Sequence, residues 1–262
     1  MRFFILIVGV LVVVVQLSAC AGGPTEESAA HGATAVVVAG SGDLPQPKPG
    51  TVLIFHENEP DNDAHRVVVF VNPDVMRIND WREVGDYILF DRTTQTIYNV
   101  VKKDETVLVI KKRPVTVKPP LAYEVVEQKE KSAAAGSTSG NDAFHYKYMI
   151  KDRVCYNAVS LDGYLPDAVA GMIEFRTVLA GEHTKTIGST PVEMLDACDL
   201  AMNIFEPGRY LEKGFPIREW DSKGYQRFLV DVRNNIVTDP QLLALPAGYT
   251  HYEIGGAAGP AK

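Results

Sequence analysis

The 262-residue chain reads as an α+β protein, a curved antiparallel sheet with helices packed on it. Three observations predict this. From residue 51 onward, short β-branched and aromatic runs follow one another with links too short for crossover helices. Those links carry turn chemistry. After residue 161 the apolar period lengthens from two residues to three or four.

The elements follow in order. TVLIFHE (51–57) and HRVVVFV (65–71) flank NEPDNDA, a turn sequence. VMRIND (75–80) and DYILFD (86–91) come next. QTIYNVV (95–101) and ETVLVIKK (105–112) are joined by Lys102-Lys103-Asp104, and their alternation predicts one face in a core and one against water. LAYEVVEQKE (121–130) is a further strand, and KSAAAGSTSGND (131–142) is a low-complexity loop. AFHYKYMIK (143–151) puts Phe144, Tyr146, Tyr148 and Ile150 on one side, and VCYNAVSL (154–161) continues the sheet.

Leu165 to Leu179 then reads as an irregular helix, weakened at Gly171. A second helix is predicted from Thr190, with Pro191 at the first helical position and Glu193 completing the cap. Its stripe is Val192, Leu195, Cys198, Met202 and Phe205, and Pro207-Gly208 ends it. FPIREWD (215–221) and YQRFLVDVRN (225–234) pair across Ser222-Lys223-Gly224. The chain closes with TDPQLLALPAGYTHYEI.

Ahead of this domain the start has another character. Arg2 precedes an apolar run from Phe3 to Val15, followed by Leu17-Ser18-Ala19-Cys20. A basic residue, an apolar stretch and small residues are the parts of a secretory signal. The run is shorter than the roughly 20 residues of a spanning helix. Leu-Ser-Ala-Cys resembles the bacterial lipobox. That resemblance implies diacylglyceryl transfer to the Cys20 thiol, cleavage before it, and acylation of the new amine. Each buried CH₂ of such chains contributes about 0.8 kcal/mol of membrane affinity. Ala21 and Gly22 follow, with no aspartate beside the cysteine, which the resemblance associates with the outer membrane, facing the periplasm.

The organisation expected is a signal over 1–19, lipidated Cys20 with a flexible tether over 20–50, one domain over 51–254, and a tail over 255–262. The tether is rich in Gly, Ala, Ser and Pro, and thirty such residues reach roughly 30 Å. Cleavage removes Arg2 and no acid from 26 basic and 33 acidic residues, moving the net charge from −7 to −8. This balance argues against nucleic acid as a partner and leaves membrane attachment to the acyl chains. Cys155 and Cys198 remain; in an oxidising compartment two leftover thiols most simply pair.

Candidate chemistry is sparse. His56, Glu57, Glu59, Asp61, Asp63 and His65 crowd one hairpin, but their spacing matches no calcium loop, and polar residues suit a turn anyway. No metal or cofactor is expected. There is no Gly-x-Ser-x-Gly, since GSTSG places Thr138 at its centre, no Walker A, and no dinucleotide fingerprint. His145 and His251 lie in strand-like segments, and an enzyme is not expected. Phe144, Tyr146 and Tyr148 could line a ligand cavity, or simply form core; Trp81 and Trp220 are equally open.

Two stretches carry a second resemblance. DYILFDRTTQTIYNVVKKDETVLVI resembles the repeated hairpins of exported half-barrel proteins. GFPIREWDSKGYQRFLVDVRNN with DPQLLALPAGY resembles the closing hairpin of an uncharacterised exported family placed near the lipoprotein carriers LolA and LolB. The resemblance implies a strongly curved antiparallel sheet, an incomplete β-barrel, with helices on its open side and room for an acyl chain. The function expected is therefore a non-enzymatic envelope lipoprotein that binds a lipid-like or other apolar ligand in that cavity. The alternative is an interaction lipoprotein that docks on an envelope protein assembly. Cys20→Ser is expected to move the protein from the membrane to the soluble periplasmic fraction; retention in the membrane pellet would remove the lipobox reading.

Overall fold

The computed structural model describes residues 48–81, 85–132 and 140–253. Cys20, the signal, the tether as far as residue 47, the tail and Thr138 lie outside the described residues, while Gly50, expected in the tether, already belongs to β1. Twelve strands form one sheet in the order β12-β6-β5-β4-β3-β2-β1-β11-β10-β9-β8-β7. They are β1 Gly50–Asn58, β2 His65–Val71, β3 Val75–Asp80, β4 Tyr87–Asp91, β5 Thr96–Val101 and β6 Thr106–Lys111. Then come β7 Val125–Lys131, β8 Ala143–Ile150, β9 Arg153–Leu161, β10 Phe215–Asp221, β11 Gln226–Ile236 and β12 Thr250–Glu253.

The expected fold class is overturned. The α+β incomplete barrel with helices filling its open side is replaced by an open, mixed, sheet-dominated architecture. The outermost strands β12 and β7 do not pair, so the sheet is not closed. Among the described residues one helix, α1 Pro166–Ile187, is long, and the other helical pieces span three to six residues. The physical reason lies in 190–205. Thr190 does not cap a helix: its hydroxyl donates to the Thr186 carbonyl (2.7 Å), and Pro191 is extended. The cap is Asp196, whose carboxylate accepts from the backbone N–H groups of Cys198 and Asp199 (2.8 and 3.1 Å). Only a short helical stretch over 197–205 remains.

Among the described residues the strand pairings are antiparallel except one. β12 runs parallel to β6, with Thr250 opposite Thr106. A parallel neighbour needs a long crossover, and residues 237–249 supply it. They cross the outer face of β2–β6, where Leu243, Leu245 and Tyr249 cover Phe70, Val75, Leu89, Val100 and Val107. Tyr87 donates to the Ala244 carbonyl (3.0 Å), and Arg77 donates to the Leu242 carbonyl while lying over the Tyr87 ring. β5 and β6 therefore do not present a wet face as their alternation predicts. Val100, Val107 and Val109 are buried beneath the C-terminal segment, while Ile97 and Ile110 are buried on the inner face.

The inner core gathers Leu53, Phe55, Val69, Met76, Phe90 and Ile97 from the sheet against α1. α1 runs eight residues beyond the Leu179 predicted from sequence. Its two interior glycines explain why propensity misjudges it. A Cβ on Gly171 would meet Val71 Cγ2 at 3.1 Å, and one on Gly181 would lie 2.3 Å from the Arg113 carbonyl oxygen. Both glycines are points of close approach, and the burial gained there exceeds the roughly 1 kcal/mol of lost propensity. A bidentate ion pair holds the same helix at its N-terminal half. Arg92 Nε and Nη2 donate to Glu174 at 2.7 and 2.9 Å, and Arg92 Nη1 donates to the Asn72 carbonyl at 2.8 Å. The hydrogen bonds from Arg92 are the main cause that holds the Glu174 carboxyl below its ordinary value of 4.5.

At its other end the helical stretch over 197–205 is stapled to β9 by a disulfide. Cys155 and Cys198 are bonded, with 5.1 Å between Cα atoms and 43 residues between them in sequence. In the chain-entropy account a loop of that length contributes about 4 kcal/mol.

Gly181→Ala is expected to lower stability by about 1–3 kcal/mol in urea unfolding, despite its better helix propensity, because the methyl overpacks against backbone. An unchanged midpoint would mean that residues 112–114 yield. Glu174→Gln is expected to cost about 1–2 kcal/mol at pH 7. The folded pKa is depressed, so this contribution is present above the unfolded value of about 4.5 and fades as pH falls through the folded one. Wild type and variant should therefore converge in acid; a gap that persists at pH 2 would contradict the assignment.

Candidate ligand cavity

A cavity of about 140 Å³ opens between the inner face of β2–β4 and α1. Its apolar wall includes Val69, Met76 and Ile88 from the sheet and Met172, Phe175 and Leu179 from the helix. Strand alternation puts the first three on one face, and helical spacing of three and four puts the last three on one stripe. The volume is close to the engineered apolar cavity of about 150 Å³ that admits benzene.

The other end of the cavity is polar. Glu57, Arg227, Tyr225, Arg176 and Tyr210 line it. Pairing register brings the first two together, because Glu57 lies opposite Arg227 across β1 and β11. Glu219 lies opposite Arg227 on the other side, across β10 and β11. Arg227 Nε is 3.1 Å from Glu57 Oε1, its Nη1 is 3.8 Å from Glu219 Oε2, and its guanidinium lies 3.6 Å over the Phe55 ring. Glu219 is only 1% exposed and accepts from the Tyr156 hydroxyl at 2.8 Å, while its Oε2 accepts no hydrogen bond. Arg176, from α1, donates to the Pro207 carbonyl (2.8 Å) and to Asn203 Oδ1 (3.0 Å).

Burial sets the ionisation of this cluster. It pushes the Glu57 carboxyl up, against the opposing pull of Arg227. Burial opposes the Arg227 charge as well, but Tyr225, Glu57 and Glu219 more than offset it, so the guanidinium stays firmly protonated. Desolvation raises Tyr156, Tyr210 and Tyr225 above the ordinary phenol value, which keeps their hydroxyls neutral. The arrangement can hold an apolar body and hydrogen-bond one polar end. Arg176 and Tyr225 also border a smaller cavity of about 60 Å³ beside Cys155–Cys198, so the disulfide braces the wall behind the polar end.

The residues singled out in sequence lie elsewhere. Tyr146 and Tyr148 are buried core, Phe144 is half-buried with the Lys129 amine 3.8 Å over its ring, and none of the three borders this cavity. The Tyr148 hydroxyl has no hydrogen-bond partner, and burial raises its pKa far above the ordinary value. In the β1–β2 hairpin, Glu57 turns inward to Arg227 while the His56 ring packs tilted against Phe228, centroids 4.9 Å apart, so the two diverge. Among the described residues no group of three or more His, Cys, Asp or Glu side chains is placed to hold a metal. His145 bridges Glu130 (2.7 Å) and Asn157 (3.0 Å) and stacks on Trp220 at 5.1 Å, while Trp81 is exposed. His251 sits in β12, opposite Val107 of β6.

Sequence reasoning passes over Arg176, Glu219 and Arg227. A signal exists, however. Glu57 keeps the parity of Leu53 and Phe55, and Arg227 keeps that of Leu229. A charge in phase with inward apolar residues is a buried charge in need of a partner.

Neither a family model nor a curated protein matches the chain. The structures of PNGF-II in space groups C2 and P21 show a likeness with TM-scores of 0.39 and 0.38, each at 6% identity and over 78% of this chain and 31% of that one. The chain thus spans about a third of the length of those structures. A likeness this loose carries no argument about fold or activity.

Proposed function

We propose that this protein is a non-enzymatic envelope lipoprotein, held to the periplasmic side of the outer membrane by acyl chains on Cys20, that binds an apolar ligand between its sheet and α1. The observation that carries the binding reading is the cavity of about 140 Å³, lined mostly by apolar side chains and bordered by a polar cluster of Glu57, Arg176, Tyr225 and Arg227. Binding there removes the ligand's apolar surface from water at roughly 25 cal/mol per Å². The anchor reading rests on Leu17-Ser18-Ala19-Cys20 after an apolar run.

One observation favours the alternative, an interaction protein docking on an envelope assembly. The outer face of β10 and β11, beyond the reach of the C-terminal segment, exposes Phe228 (42%) and Val230 (47%) near the His145–Trp220 stack.

Native mass spectrometry of the Cys20→Ser chain, with solvent extraction of what copurifies, tests the binding reading. A stoichiometric small ligand is expected, together with its loss from Met172→Trp, which fills the cavity. A bare mass that stays bare after incubation with envelope extract would overturn it and favour the docking reading.

A further inference from the structure

The charge balance of the polar wall restricts what the cavity can take, granted that it binds a ligand. Two carboxylates, Glu57 and Glu219, face two guanidiniums, Arg176 and Arg227. Each already has a protein partner. Glu57 holds Arg227 at 3.1 Å, Tyr156 donates to Glu219, and Arg176 is given to Pro207 and Asn203. Asp80 also lines the cavity; it adds an acid rather than a base, and it too is already engaged within the protein. An ionised head group entering here loses its hydration and meets no uncompensated counter-charge. An anion would face the carboxylates of Glu57 and Asp80. An ammonium would have to share Glu57 with the guanidinium already on it.

Size makes a second cut. A cavity of about 140 Å³ holds one ring or a short alkyl body, comparable with benzene in a cavity of about 150 Å³. It does not enclose a long acyl chain.

We propose that the ligand is a small neutral molecule, a single aromatic ring or short alkyl body bearing one hydroxyl or amide, and that the compensated Glu57–Arg227 wall selects against charged analogues. This rests on the cavity-binding reading above. The body lies between Met76 and Ile88 of the sheet and Phe175 and Leu179 of the helix. The head reaches the polar end, where Glu57 accepts a hydrogen bond and the neutral tyrosines donate or accept.

Calorimetric titration of the Cys20→Ser chain with benzyl alcohol, benzoate, benzylamine and dodecanoate tests this. Benzyl alcohol is expected to bind at least tenfold more tightly than the other three. Glu57→Gln leaves Arg227 with only the more distant Glu219, so benzoate is expected to gain at least tenfold relative to benzyl alcohol in that variant. Met172→Trp, or Leu179→Trp should the first not fold, is expected to abolish binding. Tighter binding of benzoate, benzylamine or dodecanoate to the wild-type chain, lost on filling the cavity, would overturn the ligand class and leave the cavity reading standing. No binding of any of the four, or binding indifferent to filling, would overturn the cavity reading itself. Should Glu57→Gln fail to fold, the wild-type ranking still decides between neutral and charged ligands.

Discussion

One long helix, with the short helical pieces over 197–213 beside it, covers the inner face of the sheet, and it does so by coming unusually near. Gly171 lets α1 settle against Val71 and Arg92, and Gly181 lets it press on the backbone at Arg113. The Arg92–Glu174 ion pair then holds its angle. Everything else on the inner face depends on this docking. The apolar wall of the cavity is half helix, and Arg176 reaches the polar cluster only because the helix lies where it does. A methyl at Gly181 would press on the Arg113 backbone, and one at Gly171 would crowd the Val71 side chain.

The outer face is solved differently. Where the C-terminal segment passes, β2 to β6 are buried on both sides, so β4 reads as an apolar run rather than an alternation. The segment has one 3₁₀ turn, Pro240–Leu243, which places Leu243. Three apolar side chains, two side-chain hydrogen bonds to its carbonyls and the short parallel strand β12 hold it down. Beyond its reach, β11 presents Phe228 and Val230 to solvent. The two halves of the sheet thus differ in what they leave exposed, and that difference comes from the path of the C-terminal strap.

The charged cluster at the end of the cavity is poor value as a source of stability. Taking two carboxylates and two guanidiniums out of water costs several kcal/mol for each ion, and attraction between them only roughly restores it. An apolar replacement of equal shape would serve folding as well. What the cluster supplies is a fixed hydrogen-bonding surface inside an apolar cavity, anchored by Tyr156 on one side and by Asn203 and the Pro207 carbonyl on the other. The disulfide steadies the segment that carries Asn203.

Eleven of the strands are legible in the sequence to within a few residues, because alternation and turn residues act locally and each strand declares itself. The Cys155–Cys198 bond is legible too, once the chain is taken as exported. The fold class is not. Helix propensity is a local quantity, so it undervalues α1 at glycines whose purpose is contact, and it places a cap at Thr190 that Asp196 supplies instead. The site is legible only as a hint, in Glu57 and Arg227 keeping step with inward apolar neighbours. Phe144, Tyr146 and Tyr148 share a face with the core, but which inward residues border empty space depends on how near the helix comes. By itself, the sequence determined where strands begin and end and which residues turn inward. The tertiary structure alone decided that β12 runs parallel, that both faces of β4 are dry, and that Glu57, Glu219, Arg176 and Arg227 meet, because those outcomes depend on contacts between residues scores of positions apart.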